Sequence, residues 1–174
     1  MDKNWEARFR EVWEHGIEAW KQGRKSPTTM FTPEQVAFLA SIGCTAQELF
    51  DFVDDHLRYG EPDFETTRAV TAIRRDYFLK ALGGVPARMR ATMESLPPKT
   101  AAVDGIAWLP RIIVKARLKL RGEMPDDLMY GCAGDRAFLR EVNLTLPGFL
   151  ELVRDQGDND RGIIDAVKRA AGRA

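Results

Sequence analysis

The chain has 174 residues, 26 basic and 26 acidic, with apolar residues at 44%, charged residues at 30%, two cysteines and two histidines. This composition excludes the disordered, collagenous and coiled-coil extremes, and a chain of this length buries about 70% of its unfolded surface without needing a metal or disulfide. No apolar run approaches the roughly 18 residues of a membrane span, and no cysteine or histidine pair has zinc-ligand spacing, so no metal site is expected.

The opening Met1-Asp2-Lys3-Asn4-Trp5-Glu6 lacks the basic start, apolar stretch and cleavage site of a secretory leader, which predicts a cytoplasmic protein. Phe9, Val12, Trp13, Gly16 and Trp20 recur at helical spacing and predict a first amphipathic helix over 4–21. Thr32 with Gln35 and Thr45 with Glu48 form capping boxes, and Pro33 suits a first helical position, so helices follow over 33–42 and 46–59. Further helices are predicted over 64–81, 86–95, 107–121, 134–142, 146–156 and 160–171, with Gly60, Gly83-Gly84, Pro97-Pro98 and Gly122 marking ends. No stretch alternates apolar and polar residues over a strand's length. The fold class is therefore all-α.

A shift of 100 residues lays one half of the chain over the other. Leu109, Ile112, Ile113, Ala116 and Leu120 repeat the first apolar stripe, and Ala37-Phe38-Leu39 falls on Ala137-Phe138-Leu139. Between 32 and 53, five of 22 positions are identical. This predicts one compact helical body, 1–174, made of two pseudo-symmetric copies: about 4–81 and about 105–171, joined by a linker over 82–104. Four short helices cannot all cover one another within about 70 residues, so the copies are expected to pack about a pseudo-twofold axis.

Charge is unevenly spread: residues 67–121 carry 12 basic and 3 acidic side chains between two acidic ends. On the helix that starts near Pro110, Arg111, Lys115 and Lys119 stack at i, i+4, i+8. That line of charge reads as an anion site, a solvated face, or a surface pairing with the other copy, since Arg111 and Lys115 overlay Glu11 and His15. The loop from Met129 to Arg136 combines Tyr130, two glycines, Cys132, Asp135 and Arg136 ahead of a helix whose N–H groups suit an anion. A thiol at such a position can be reactive, yet no histidine follows to act as its base, and Cys132 also reads as a plain cap residue. Asp135, at a third helical position, interacts well with the helix dipole whatever else it does. Cys44 and the four tryptophans read as core residues.

The run Gly105 to Leu120, followed by Met129-Tyr130-Gly131-Cys132 and Asp135-Arg136-Ala137-Phe138-Leu139, resembles the bacterial family of domain of unknown function DUF5069. The resemblance implies a small, largely helical protein and brings no activity, cofactor or catalytic residue. The function expected from the residues is a non-catalytic helical module that binds a protein partner or a small anionic ligand between its copies. Arg111, Lys115, Tyr130, Cys132, Asp135 and Arg136 would line that site. The rival is a small enzyme using Cys132 or Asp135 beside Tyr130. No cofactor is expected, and zero net charge with acidic ends argues against nucleic acid.

Overall fold

The computed structural model describes residues 4–173, which divide into two compact units, one ending at Pro86 and one starting at Ala87. Among these residues there are nine α-helices and one two-stranded ribbon, so the protein is all-α. No single helix among them is long and apolar enough to cross a membrane.

The N-terminal unit holds α1 (Trp5–Lys21), α2 (Pro27–Met30), α3 (Pro33–Ser41), α4 (Ala46–Tyr59) and α5 (Phe64–Lys80). Both capping boxes form: Thr32 N–H donates to Gln35 Oε1 at 2.9 Å and Thr45 N–H to Glu48 Oε2 at 2.8 Å, while each threonine hydroxyl accepts from the partner's N–H. α1 lies against α2, α4 and α5, burying Phe9, Val12 and Trp13 among Met30, Phe52, Val53 and Val70. The corner between α3 and α4 turns on Gly43, whose φ of +73° favours glycine and whose Cβ would stand 2.6 Å from the Phe78 ring. That contact ties the corner to α5. Trp13 is buried, whereas Trp5 and Trp20 are half-buried, Trp20 donating from Nε1 to Asp54 Oδ1 at 2.7 Å.

The C-terminal unit holds β1 (Ala102–Val103) and β2 (Ile106–Ala107), antiparallel with Ala102 opposite Ala107, then α6 (Leu109–Arg121), α7 (Ala133–Glu141), α8 (Leu146–Gln156) and α9 (Asp160–Ala170). α8 is the central element, packing on α6, α7 and α9 through Leu146, Phe149, Leu150 and Val153. The ribbon reverses through Asp104 (φ +50°) and Gly105 (φ +75°), an Asp-Gly pair of the type that two-residue hairpins favour.

Two expectations fail here. Residues 86–95 do not form a helix; they run irregularly to a 3₁₀ turn at Met93–Ser95, with Ala91 N–H donating to Glu123 O at 2.8 Å. Met89, 80% exposed, shows why: no apolar face exists for a helix to bury. The helix expected from 107 starts at Leu109, because Ile106 and Ala107 pair in the ribbon and Trp108 adopts a left-handed φ of +69°.

Candidate functional site

The line of positive charge on α6 is not a solvated face. Arg111, Lys115 and Lys119 are all buried, and the cations of α6 reach three neighbouring segments, at Pro97, at Asp135 and at Gly157 to Asp160. Arg111 Nη1 donates to Pro97 O at 2.7 Å. Arg117 donates from Nε and Nη2 to Gly157 O and pairs with Asp160 at 2.6 Å, and Arg121 lies 3.5 Å from Asp158. Lys115 pairs with Asp135 at 2.5 Å within the same unit, with 1% and 0% of the two side chains exposed. The pairing with Glu11 and His15 that the 100-residue overlay suggests is therefore replaced for Lys115 by Asp135. His15 Nε2 instead hydrogen-bonds Met30 O at 3.1 Å.

Around that ion pair the structure gathers most of the unusual loop. Asp135 stands in the first turn of α7, and its Oδ1 accepts from Trp108 Nε1 at 2.9 Å. Its Oδ2 accepts from Lys115 Nζ and from Gly131 N–H at 2.9 Å. Gly131 adopts φ +94°, which lets the loop turn its N–H inward to the carboxylate. Gly134 leaves room for the Trp108 indole: a Cβ there would stand 2.5 Å from Cζ2 and 2.6 Å from Cη2. Arg136, also buried, donates from Nη1 to Gly131 O at 2.7 Å.

Tyr130 lies buried beside this knot, and its hydroxyl donates to Leu146 O at 2.8 Å, fixing the loop to the start of α8. Burial, with the nearby Asp135 charge adding to it, holds this phenol well above the ordinary tyrosine range. Cys132 occupies the N-cap of α7 by its backbone but its thiol makes no cap bond; half-buried, its Sγ lies 3.2 Å from Lys115 Nζ. Of the six candidate residues, Lys115, Cys132, Asp135 and Arg136 thus meet in one cluster, Tyr130 adjoins it, and Arg111 anchors a different segment.

Chemically, the cluster is a closed polar lock. Three donors hold the fully buried Asp135 carboxylate, and the Tyr130 proton is already given to a backbone carbonyl. Residues 95–174 match the model of a family described as a domain of unknown function, DUF5069. The C-terminal unit is a DUF5069 domain. No curated protein and no solved structure matches the chain. Within the DUF5069 domain the loop and its tryptophan therefore have a physical role of their own, joining the ribbon, α6, α7 and α8.

A second polar cluster, missed in the sequence, lies in the N-terminal unit. Thr71 and Arg74 sit on the stripe of α5 that also buries Thr67, Val70 and Phe78, with exposures of 1% and 3%. Thr71 Oγ1, Arg74 Nε, Arg74 Nη1 and Arg75 Nε are buried without a hydrogen-bond partner among the described residues. Phe78 lies under the Arg74 guanidinium at 5.2 Å, and the Arg75 guanidinium lies over Trp5 at 5.1 Å. Burial pushes the Arg74 pKa down, against the opposing influence of Glu48, Cys44 and Tyr77. The signal was present: polar residues at 71 and 74 fall in phase with apolar Val70 and Phe78, where a solvated residue would not.

Proposed function

We propose that the protein is a non-catalytic helical module that binds a small anionic ligand. The observation that carries this reading is the engagement of Asp135: with Trp108 Nε1, Lys115 Nζ and Gly131 N–H all directed at its carboxylate, the polar groups beside Tyr130 hold one another and not a reacting molecule. A general base or acid needs a lone pair or proton within reach of substrate, and Asp135 and Tyr130 are both buried behind the groups they bond. An anion in place of a protein partner is favoured by the 12 basic and 3 acidic residues over 67–121, several of them buried.

Duplication of one helical unit gives the chain its architecture under this reading. α3 and α7 span 33–41 and 133–141, α4 and α8 begin at 46 and 146, and the intervening corners turn on Gly43 (φ +73°) and Asn143 (φ +56°). Thr45 and Thr145 both cap the following helix with their hydroxyls.

One observation favours an enzyme instead: the half-buried Cys132 sulfur faces a buried ammonium at 3.2 Å. Two measurements separate the readings. Calorimetric titration with inorganic phosphate and with acetate should give saturable heat in the wild type and in Cys132→Ser, and absence of heat from both refutes the binding module. Alkylation of Cys132 by iodoacetamide should run within about tenfold of a free cysteine peptide, and a faster reaction supports the nucleophile.

A further inference from the structure

The chain passes from one unit to the next through an exposed strap. Residues 85–90, Val85-Pro86-Ala87-Arg88-Met89-Arg90, are all exposed and belong to no helix or strand, and Val85 and Met89 are apolar side chains left 61% and 80% accessible. On the N-terminal side the last anchors are Gly84 N–H to Phe78 O at 2.8 Å and Val85 N–H to Leu82 O at 3.1 Å. On the C-terminal side the first are the ion pair of Arg90 with Asp126, both exposed, and Ala91 N–H to Glu123 O at 2.8 Å. Among the described residues, Pro86, Ala87, Arg88 and Met89 make no hydrogen bond or ion pair. Pro86 fixes its own φ and biases Val85 toward extended backbone.

An endopeptidase takes its substrate as an extended segment, and a folded chain supplies one only where backbone and side chains are already free. Elsewhere cleavage waits for local or global opening. Arg88 marks the bond: its guanidinium is exposed and pairs with no described carboxylate, and an acidic specificity pocket reads such a side chain. The competing positions are held. Among the described residues, only Arg24, Lys25, Arg88, Arg90, Lys99 and Arg173 are basic and lie outside α-helices. Arg24 and Lys25 donate their N–H groups to Ala19 O and Gly23 O, each at 3.0 Å, and the Lys25 ammonium lies over Trp20 at 3.8 Å. Lys99 sits in a turn that Ala101 N–H closes on Pro98 O at 3.0 Å, beside a Pro97 carbonyl bonded to Arg111. Arg90 is followed by the bonded Ala91, and Arg173 N–H closes the end of α9 on Lys168 O at 2.8 Å.

We propose that the Arg88–Met89 bond is a cleavage site, in the folded protein, for an endopeptidase of arginine specificity. One water is consumed: the carbonyl carbon of the bond becomes the Arg88 carboxylate, and its nitrogen becomes the Met89 ammonium. The N-terminal unit then ends at Arg88, and the DUF5069 domain begins at Met89 as a separate chain. No helix is cut, and the family match over 95–174 lies whole in the second chain. Both units therefore stay folded.

The test is limited digestion of the full chain with trypsin, followed by intact-mass spectrometry and circular dichroism, on the wild type, Arg88→Gln and Arg90→Gln. The wild type should give residues 1–88 and 89–174 as its first products, with the helical signal unchanged. The rate should stay level in urea until global unfolding begins, because the bond is already accessible. Arg88→Gln should slow the first cut by at least about tenfold, since the pocket loses the charge it reads. Arg90→Gln should still be cut after Arg88. A first cut at Arg24, Lys25, Lys99 or Arg90 overturns the assignment, and so does an Arg88→Gln chain cut as fast as the wild type. A rate that climbs steeply with urea from the outset shows a bond reached only through unfolding, and it overturns the site. Fragments that are degraded as fast as they form, or that lose the helical signal, overturn the claim that both units stay folded.

Discussion

Replacing Gly134 by alanine should destabilise the protein, although helix propensity alone predicts the reverse. Gly134 lies in the first turn of α7, where exchanging glycine for alanine in a helix gains up to about 1 kcal/mol. Against this, the new Cβ would sit 2.5 Å from Trp108 Cζ2, and overpacking of this kind costs about 1 to 3 kcal/mol. The indole cannot simply swing aside, because its Nε1 donates to Asp135 and its backbone holds φ +69°. Moving it sacrifices a hydrogen bond to a carboxylate, about 1.5 to 3 kcal/mol. The net loss is about 2 to 4 kcal/mol, which lowers the midpoint by about 5 to 15 °C for a chain of this size. Calorimetry of Gly134→Ala, beside Trp108→Leu and the double variant, checks the reasoning: the double should be more stable than the sum of the singles allows. A Gly134→Ala protein as stable as the wild type would show that the indole does not occupy the space above this turn.

Asp135→Asn should cost about 3 to 5 kcal/mol in thermal or urea unfolding, because Lys115 is left buried without its counter-charge, and Lys115→Met introduced with it should recover much of the loss. Tyr130→Phe removes the hydroxyl's bond to the Leu146 carbonyl, which predicts a loss of about 0.5 to 1.5 kcal/mol by urea titration. With the folded pKa of Tyr130 raised, the phenol's contribution is complete below the unfolded value near 10 and disappears as pH rises toward the folded one. Spectrophotometric titration of the wild type against Tyr130→Phe should therefore show this hydroxyl ionising only as the domain unfolds. Asp63 caps α5 by accepting the Thr66 N–H at 2.8 Å, and the Thr66 hydroxyl first and this N–H second hold its pKa below the ordinary carboxylate value. The stability it adds is present above the unfolded carboxylate range and is lost as pH falls through the lowered value. Asp63→Ala should then cost about 1 kcal/mol at neutral pH and less near pH 3, while Asp63→Asn, an equal cap without the titration, should stay near the wild type at neutral pH.

Local chemistry made most of the fold legible. Thr32–Gln35, Thr45–Glu48 and the glycines after α4 and α6 set helix limits through neighbours three or four residues away, and α4 and α8 begin and end where the pattern predicts. Shorter elements escaped for physical reasons. α2 spans four residues and carries no periodicity, and the Asp104-Gly105 turn joins strands of only two residues. Residues 86–95 have helix formers but no apolar face, so propensity without burial misleads there. The site was harder, because burial of a cation depends on what approaches it from far along the chain. Nothing near Lys115 in sequence announces Asp135, twenty positions on, or the Trp108 indole that completes the carboxylate's shell. Arg74 is the same lesson in reverse: its in-phase position foretells burial, but only the packed unit reveals that no acceptor comes with it.

The most direct test of the central claim is phosphate titration of the folded Lys115→Met/Asp135→Asn variant beside the wild type. Equal saturable binding by both proteins is the predicted result, since the lock on α7 supports the DUF5069 domain and does not hold the ligand. A variant that keeps its melting temperature yet no longer binds would contradict the account and make the Lys115–Asp135 cluster the functional site.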